Sequence, residues 1–193
     1  MDVAAYFARE WDDHLAVAAE TRERLPLPFA AMLDAWVRTF REGGKLLLFG
    51  NGGSAADAQH IATELTIRFC EDRSPLPAIA LTTDGSALTA AGNDLGFELV
   101  FARQVQALGG PNDLAVGLST SGDSPNVVAA LRAAREQGVA TAALIGGHSG
   151  RVVEFADVVI GVPTRSTARV QEVHITLAHM LCGAAERELG LVG

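Results

Sequence analysis

Cysteine is nearly absent. Cys70 and Cys182 are the only two in 193 residues, too few for the disulfide framework of a small secreted domain, and they read as reduced thiols. Basic residues are scarce too: 15 Lys and Arg stand against 23 Asp and Glu, a formal charge of −8, with a pI near 5.0. This balance excludes a broad cationic surface for nucleic acid. An anionic ligand would have to be held by local donors, not by the overall field. No apolar run approaches the ~20 residues that a membrane-spanning helix needs; stretches such as Leu46-Leu47-Leu48-Phe49 are far shorter. The opening Met1-Asp2-Val3-Ala4-Ala5 holds an acid and no basic stretch, and Arg9-Glu10-Trp11-Asp12-Asp13 follows soon after, so no signal peptide is expected. Disorder is excluded as well, because hydrophobic residues make up 49% of the chain and mean hydropathy is +0.22. The 20 glycines and 7 prolines follow no collagen-like period. A soluble cytoplasmic protein with a sizeable core is expected.

The order of apolar segments predicts the architecture. Residues 2–24 read as an amphipathic helix, with Val3, Tyr6, Phe7, Leu15 and Val17 at roughly helical spacing. Pro26 and Pro28 are expected to break it. Residues 29–42 read as a second helix whose apolar face is Met32, Leu33, Trp36, Val37 and Phe40, ended by Gly43-Gly44. Beyond that point short apolar runs alternate with helix-length segments. The runs are Lys45–Phe49, Ala78–Leu81, Leu114–Leu118, Thr141–Ile145 and Val158–Val162. They are continuous rather than alternating, as in strands covered on both faces. Helices are expected near 53–68, 97–108, 124–137, 149–155 and 167–189. The rhythm argues for an α/β fold with a five-stranded, mostly parallel sheet and helices on both faces. No repeat or linker marks a second domain. The two leading helices should pack on the sheet or on a partner subunit.

Four clusters carry possible chemistry. Gly50-Asn51-Gly52-Gly53-Ser54 joins an expected strand to an expected helix. Such a junction offers free N–H groups at a positive helix end, and glycines let an anion approach the backbone. It also reads as an ordinary tight turn with a Ser54 cap. Gly50-x-Gly52-x-x-Ala55 fits the loose dinucleotide fingerprint, but the nearest acid at the next strand end, Asp84, comes late. A nucleotide P-loop is excluded, since no Gly-Lys-Ser/Thr follows. Ser119-Thr120-Ser121-Gly122-Asp123-Ser124 is a second strand-to-helix junction, with four hydroxyls in six positions. It suits a phosphate held without lysine or arginine, or is a Ser/Thr-rich helix cap.

His60 and Glu64 stand at i and i+4, on one helical face. The pair suits a metal ion or acid–base work, and equally a solvated polar pair. Gln171, Glu172, His174 and His179 interrupt an otherwise apolar last helix, where buried polar groups need partners. Spacing alone does not pair Gln171 with His179. Arg68 ends the His60/Glu64 helix, and Gly92-Asn93-Asp94 reads as a turn; on spacing alone both are structural.

Taken in order, these blocks resemble the phosphoheptose isomerase family of sugar isomerase (SIS) domains. The resemblance rests on Gly50–Ser54, Asp57-Ala58-Gln59-His60, Glu64-Leu65, Leu76–Leu81, Asn93-Asp94, Ser119–Ser124 and Arg169–His174, and it covers nearly the whole chain. It implies a three-layer, flavodoxin-like SIS domain over residues 1–193, with an N-terminal helical extension at 1–43. It implies an aldose–ketose isomerase converting sedoheptulose 7-phosphate to D-glycero-D-manno-heptose 7-phosphate, the entry to activated-heptose synthesis. Glu64 and His179 match the family's catalytic positions. One Zn2+ per subunit would be held by His60, Glu64, Gln171 and His179. Ser119, Thr120, Ser121 and Ser124 match the phosphate positions, with Gly52, Gly53 and Ser54 nearby. Asn51, Arg68, Asn93, Asp94 and Gln171 match sugar-contacting ones. A homotetramer with inter-subunit active sites is implied.

The residue types suit that chemistry. A carboxylate serves as base, an imidazole as acid, and zinc as Lewis acid for the oxygen of an enediol. A Glu that ligates zinc is a poorer base, so its two roles compete. Two positions depart from common family patterns: Ala168, where some isomerases carry Asp, and Asp123, where Asn is frequent; Asp123 is expected to point away from the phosphate. A related branch consists of tetrameric adaptors that bind the bacterial replication initiator, and shares the Ser54–His60 and Ser166–Arg169 flavour. It lacks equivalents of Glu64 and His179, and their presence here favours the enzyme. A non-catalytic phosphosugar-sensing or dinucleotide module would leave that pair without a purpose.

Overall fold

A computed structural model describes residues 1–147 and 150–193. Asp2 opens helix α1 (Val3–Arg24): its carboxylate accepts from the N–H groups of Ala4 and Ala5. The chain turns at Leu25, and α2 runs Pro26–Arg41, three residues earlier than the prolines suggest. First-turn N–H groups have no intrahelical acceptor, so Pro26 costs nothing there and opens the helix. Met32 and Trp36 on α2 are fully buried.

Five strands follow among the described residues: β1 (Leu46–Gly50), β2 (Ala78–Ala80), β3 (Leu114–Ser119), β4 (Ala140–Ile145) and β5 (Val158–Gly161). Their order is β2-β1-β3-β4-β5, and every pair is parallel. β1 and β3 are buried along their whole length, which is why their sequences show no alternation. The two faces of β1 still part company. Leu46 and Leu48 pack with Trp36, Ile61, Leu65, Leu177 and Leu181. Leu47 and Phe49 pack with Val105, Val127 and Leu131. The first face is therefore covered by α2, α3 (Gly53–Thr66) and α7 (Thr167–Glu188), and the second by α5 (Ala102–Leu108) and α6 (Pro125–Glu136). At ~1.5–3 kcal/mol for each large apolar side chain, these two layers supply most of the driving force for folding. At the opposite end of the sheet from the site, Lys45 Nζ reaches Asp113 Oδ2 at 2.6 Å and its backbone N–H donates to Asp113 Oδ1 at 2.9 Å, so one carboxylate ties the starts of β1 and β3.

Three local expectations need correction. Gly92-Asn93-Asp94 is not a turn; it closes a helix, α4 (Gly85–Asp94), capped by Asp84 and burying no residue. With nothing buried, α4 leaves no apolar stripe to read. The helix expected over 97–108 is a 3-10 turn (Phe97–Leu99) followed by α5. That expected at 149–155 is a 3-10 turn at Arg151–Glu154; residue 149 lies outside the described residues. α1 lies along α7, yet its apolar face is bare: Val3, Tyr6, Phe7, Trp11 and Leu15 are all exposed.

Candidate active site

In the order 2-1-3-4-5 the chain changes direction between β1 and β3, and open α/β sheets bind ligands at the carboxyl ends of the strands beside such a switch. Both glycine- and hydroxyl-rich loops emerge there, one after β1 and one after β3. They are physically joined. Asn51 Nδ2 donates to Asn126 Oδ1 and Asn126 Nδ2 donates to Asn51 Oδ1, both at 2.8 Å. Gly52 sits at φ +56°, ψ −121°, a conformation open to glycine and closed to most L-residues. It turns the chain sharply from β1 into α3, and Ser54 is buried behind it.

The second loop is organised by its own hydroxyls. Ser119 Oγ lies 2.9 Å from Ser124 Oγ and accepts from the Gly122 N–H at 3.1 Å. Gly122, at φ +71°, lets the loop fold over that hydroxyl. Neither α3 nor α6 has a side-chain cap. Asp123 turns outward as expected: its carboxylate accepts from the Arg151 N–H at 2.9 Å.

α3 and α7 pack side by side and run the same way. A methyl at Gly53 would overlap the Gln171 amide, and one at Gly183 would touch the Phe69 ring at 3.3 Å. Between these contacts His60 and Glu64 from α3 meet His179 from α7. His60 Nε2 lies 3.1 Å from Glu64 Oε1 and 3.4 Å from His179 Nε2. The two imidazoles meet edge to face, with centroids 5.0 Å apart, and Phe69 stacks on His179 at 5.5 Å. Two nitrogens facing each other at 3.4 Å share at most one proton. One ligand atom from each of His60, Glu64 and His179 lies within 4.8 Å of the others. Two imidazoles and a carboxylate are an ordinary zinc donor set, so the residues present fit a divalent ion.

The other expected residues are distributed as follows. Gln171 lies against Gly53, eight positions and ~12 Å along α7 from His179. Arg68 is exposed just past the end of α3. Asn93 and Asp94 are exposed at the end of α4, and Asn93 Nδ2 bonds Asp94 Oδ1 at 2.7 Å. Glu172 ties α7 to α1: it accepts from or shares a proton with His14 Nδ1 at 2.8 Å and pairs with Arg169 at 3.0 Å. His174 is buried, with Nε2 on the Ile145 carbonyl at 3.1 Å. Burial pulls its pKa down to about 4.

Two residues gain their place in the site only from the structure, although Asp57 stands in a block that carries the family resemblance. Asn126 is buried and braces the first loop, yet an Asn in a helix's first turn looks like any capping residue. Asp57, one turn before His60, has a buried Oδ2 without a hydrogen-bond partner. Burial raises its carboxyl's pKa, and the neighbouring His60 opposes the rise.

Comparison with known proteins agrees with this geometry. The model of the SIS domain family matches residues 11–146. A phosphoheptose isomerase from Roseiflexus sp. (strain RS-1) is 54% identical over 180 residues, 93% of this chain and 91% of its own. One from Nitratidesulfovibrio vulgaris is 58% identical over 177 residues, 88% of this chain and 84% of its own. Among solved structures, a phosphoheptose isomerase from Francisella tularensis matches with TM-score 0.93 and 36% identity over 97% of this chain and 100% of that one. One from Neisseria gonorrhoeae matches with TM-score 0.90 and 41% identity, covering 96% and 99%. The chain therefore belongs to the phosphoheptose isomerase family of SIS-domain proteins and is an isomerase.

Proposed function

We propose that the protein interconverts sedoheptulose 7-phosphate and D-glycero-D-manno-heptose 7-phosphate in the cytoplasm, as the first step of activated-heptose synthesis. The observation that carries this reading is the meeting of His60, Glu64 and His179 across two helices, in a chain about half identical to phosphoheptose isomerases. Residues 1–193 are read as one SIS domain with a helical extension at 1–43. Ser119, Thr120, Ser121 and Ser124 hold the phosphate with Gly52, Gly53 and Ser54, through hydroxyls and helix-end N–H groups. Asn51, Arg68, Asn93, Asp94 and Gln171 contact the sugar. Glu64 removes the C1 proton of the ketose while His179 protonates the C2 oxygen, giving an enediol. Glu64 then returns its proton to C2 and His179 takes one from the C1 oxygen, leaving the aldose. His60, Glu64 and His179 would hold one zinc ion, which would supply Lewis-acid stabilisation of the oxygens that gain charge; Gln171, the fourth ligand that the family resemblance implies, lies against Gly53 and within one chain stands apart from these three.

His60 lies two turns, ~10 Å, along α3 from Gly53. That separation, together with the uncovered apolar face of α1, supports a homotetramer in which each active site takes residues from neighbouring chains. The test is product formation from sedoheptulose 7-phosphate, followed by NMR, with metal-stripped protein before and after zinc is added. Aldoheptose 7-phosphate that appears only with zinc supports both parts of the reading. No turnover in either state, from a folded protein, refutes it.

A further inference from the structure

Arg73 lies in the segment between α3 and β2, and its side chain is fully buried. It spends its donors on two helices. Nη2 donates to the Glu64 carbonyl at 2.8 Å, and Nη1 donates to the Leu65 carbonyl at 2.8 Å and the Ser74 carbonyl at 3.1 Å. Nε donates to Glu186 Oε1 at 2.7 Å, and Glu186 on α7 is also buried. Two of these carbonyls, those of Glu64 and Leu65, belong to the last turn of α3, where no intrahelical donor is left and a cation is favoured. One of them is the main chain of Glu64 itself. Glu186 lies seven residues after His179, two turns along the same stripe of α7. A single planar fork therefore grips the backbone of one member of the His60–Glu64–His179 cluster and the helix that carries another.

We propose that Arg73 is a positioning residue, with Glu186 as its anchor: it sets the register of α3 against α7 so that Glu64 and His60 stay in contact with His179. The inference rests on the reading of that cluster as the reaction centre. Lysine cannot replace Arg73, because one ammonium cannot serve the divergent acceptors on α3 and α7 that the rigid fork serves together.

The experiment compares the wild-type protein, Arg73→Lys, Glu186→Gln and a control, Val105→Ala, which trims a buried side chain on the opposite face of the sheet. Each is assayed below its melting transition for turnover of sedoheptulose 7-phosphate and for zinc affinity against a chelating dye. Misplacement of reacting groups by about 1 Å costs about 100-fold, so Arg73→Lys should lower kcat about 10- to 100-fold while KM stays within about twofold. Zinc affinity should fall about tenfold. Val105→Ala should lose thermal stability with both values unchanged, and in a fifth protein, Arg73→Ala, free guanidinium should restore part of the lost kcat. If Arg73→Lys does not fold, Glu186→Gln, which keeps the shape of the pair, is read in the same way. Wild-type kcat and zinc affinity in the folded variant would overturn the proposal. So would a control that loses kcat in step with its stability. If the wild-type protein does not turn over this sugar, the functional reading fails separately, and zinc affinity alone decides the role of Arg73.

Discussion

The reciprocal amide pair between Asn51 and Asn126 can be tested by a double-mutant cycle on stability. Two hydrogen bonds at 2.8 Å join the side chains. Asn126 is 2% exposed, whereas Asn51 is half-buried. Asn126→Ala removes both bonds and leaves the Asn51 amide with a donor and an acceptor that water reaches only partly. At about 1 kcal/mol per bond, with a share of the ~1–3 kcal/mol penalty for an unpaired buried group, the loss is about 2–3 kcal/mol. For a chain of this length, that lowers the melting temperature by about 4–12 °C. Asn51→Ala exposes the more deeply buried partner and should cost at least as much. If the pair is the reason for both losses, the double variant should be little worse than either single one, with a coupling of about 2–3 kcal/mol. Urea titrations of the four proteins, read by far-UV circular dichroism with a shared slope, measure it. Additivity within about 0.5 kcal/mol, the behaviour of independent sites, would refute the claim that the two loops are held as one unit.

Three further outcomes are expected. Glu64→Gln and His179→Gln should each lower kcat by about 100- to 10,000-fold, the scale of lost acid–base catalysis, while isothermal titration still detects phosphosugar binding; near-normal turnover in either would remove it from the mechanism. His174 is held neutral by burial, its pKa falling from 6.5 to about 4. The folded state therefore binds its proton later than the unfolded chain does, and stability is kept above pH 6.5 and lost as pH falls toward 4, by about 3 kcal/mol in all. His174→Asn should flatten that part of a melting-temperature profile measured from pH 7.5 to 4.5. Cys70 is exposed, while Cys182 is buried with its thiol pushed up to about 12 by burial and by Glu64 and Glu186. A disulfide reagent should titrate one thiol per folded chain at neutral pH and two in denaturant; two fast thiols in the folded protein would contradict the packing of α7 on α3.

The sheet was legible because strands covered on both faces must be apolar throughout, and β1, β3 and β4 were found within one residue of their limits. α4 was not legible, since a helix that buries nothing leaves no stripe. Pro26 misled for a local reason: it is hostile to a helix interior and welcome in a first turn. In the site, the two loops and the i, i+4 pair of His60 and Glu64 are local patterns, open to reading from spacing. The place of His179 beside them is not local. It depends on α3 and α7 packing in parallel register across 119 residues of sequence, and only the resemblance to a family supplied it in advance. Asn126 and Arg73 were missed on the same ground. Each matters through a partner 75 or 113 residues away, and neither side chain looks unusual where it stands.

Lys45 is the only lysine in the chain, so a lysine-specific protease has a single bond to cut, Lys45–Leu46. That bond is locked from both sides. The Lys45 carbonyl accepts from the Leu114 N–H at 3.1 Å, and the Leu46 N–H donates to the Pro77 carbonyl at 3.0 Å. The side chain the protease must grasp is held by Asp113. Since β1 lies between two neighbours in the sheet, the bond can enter a protease cleft only when the middle of the sheet opens. Cleavage would divide the chain once, releasing both leading helices from everything after them. Its rate under native conditions thus becomes a direct count of how often the central strand leaves its place.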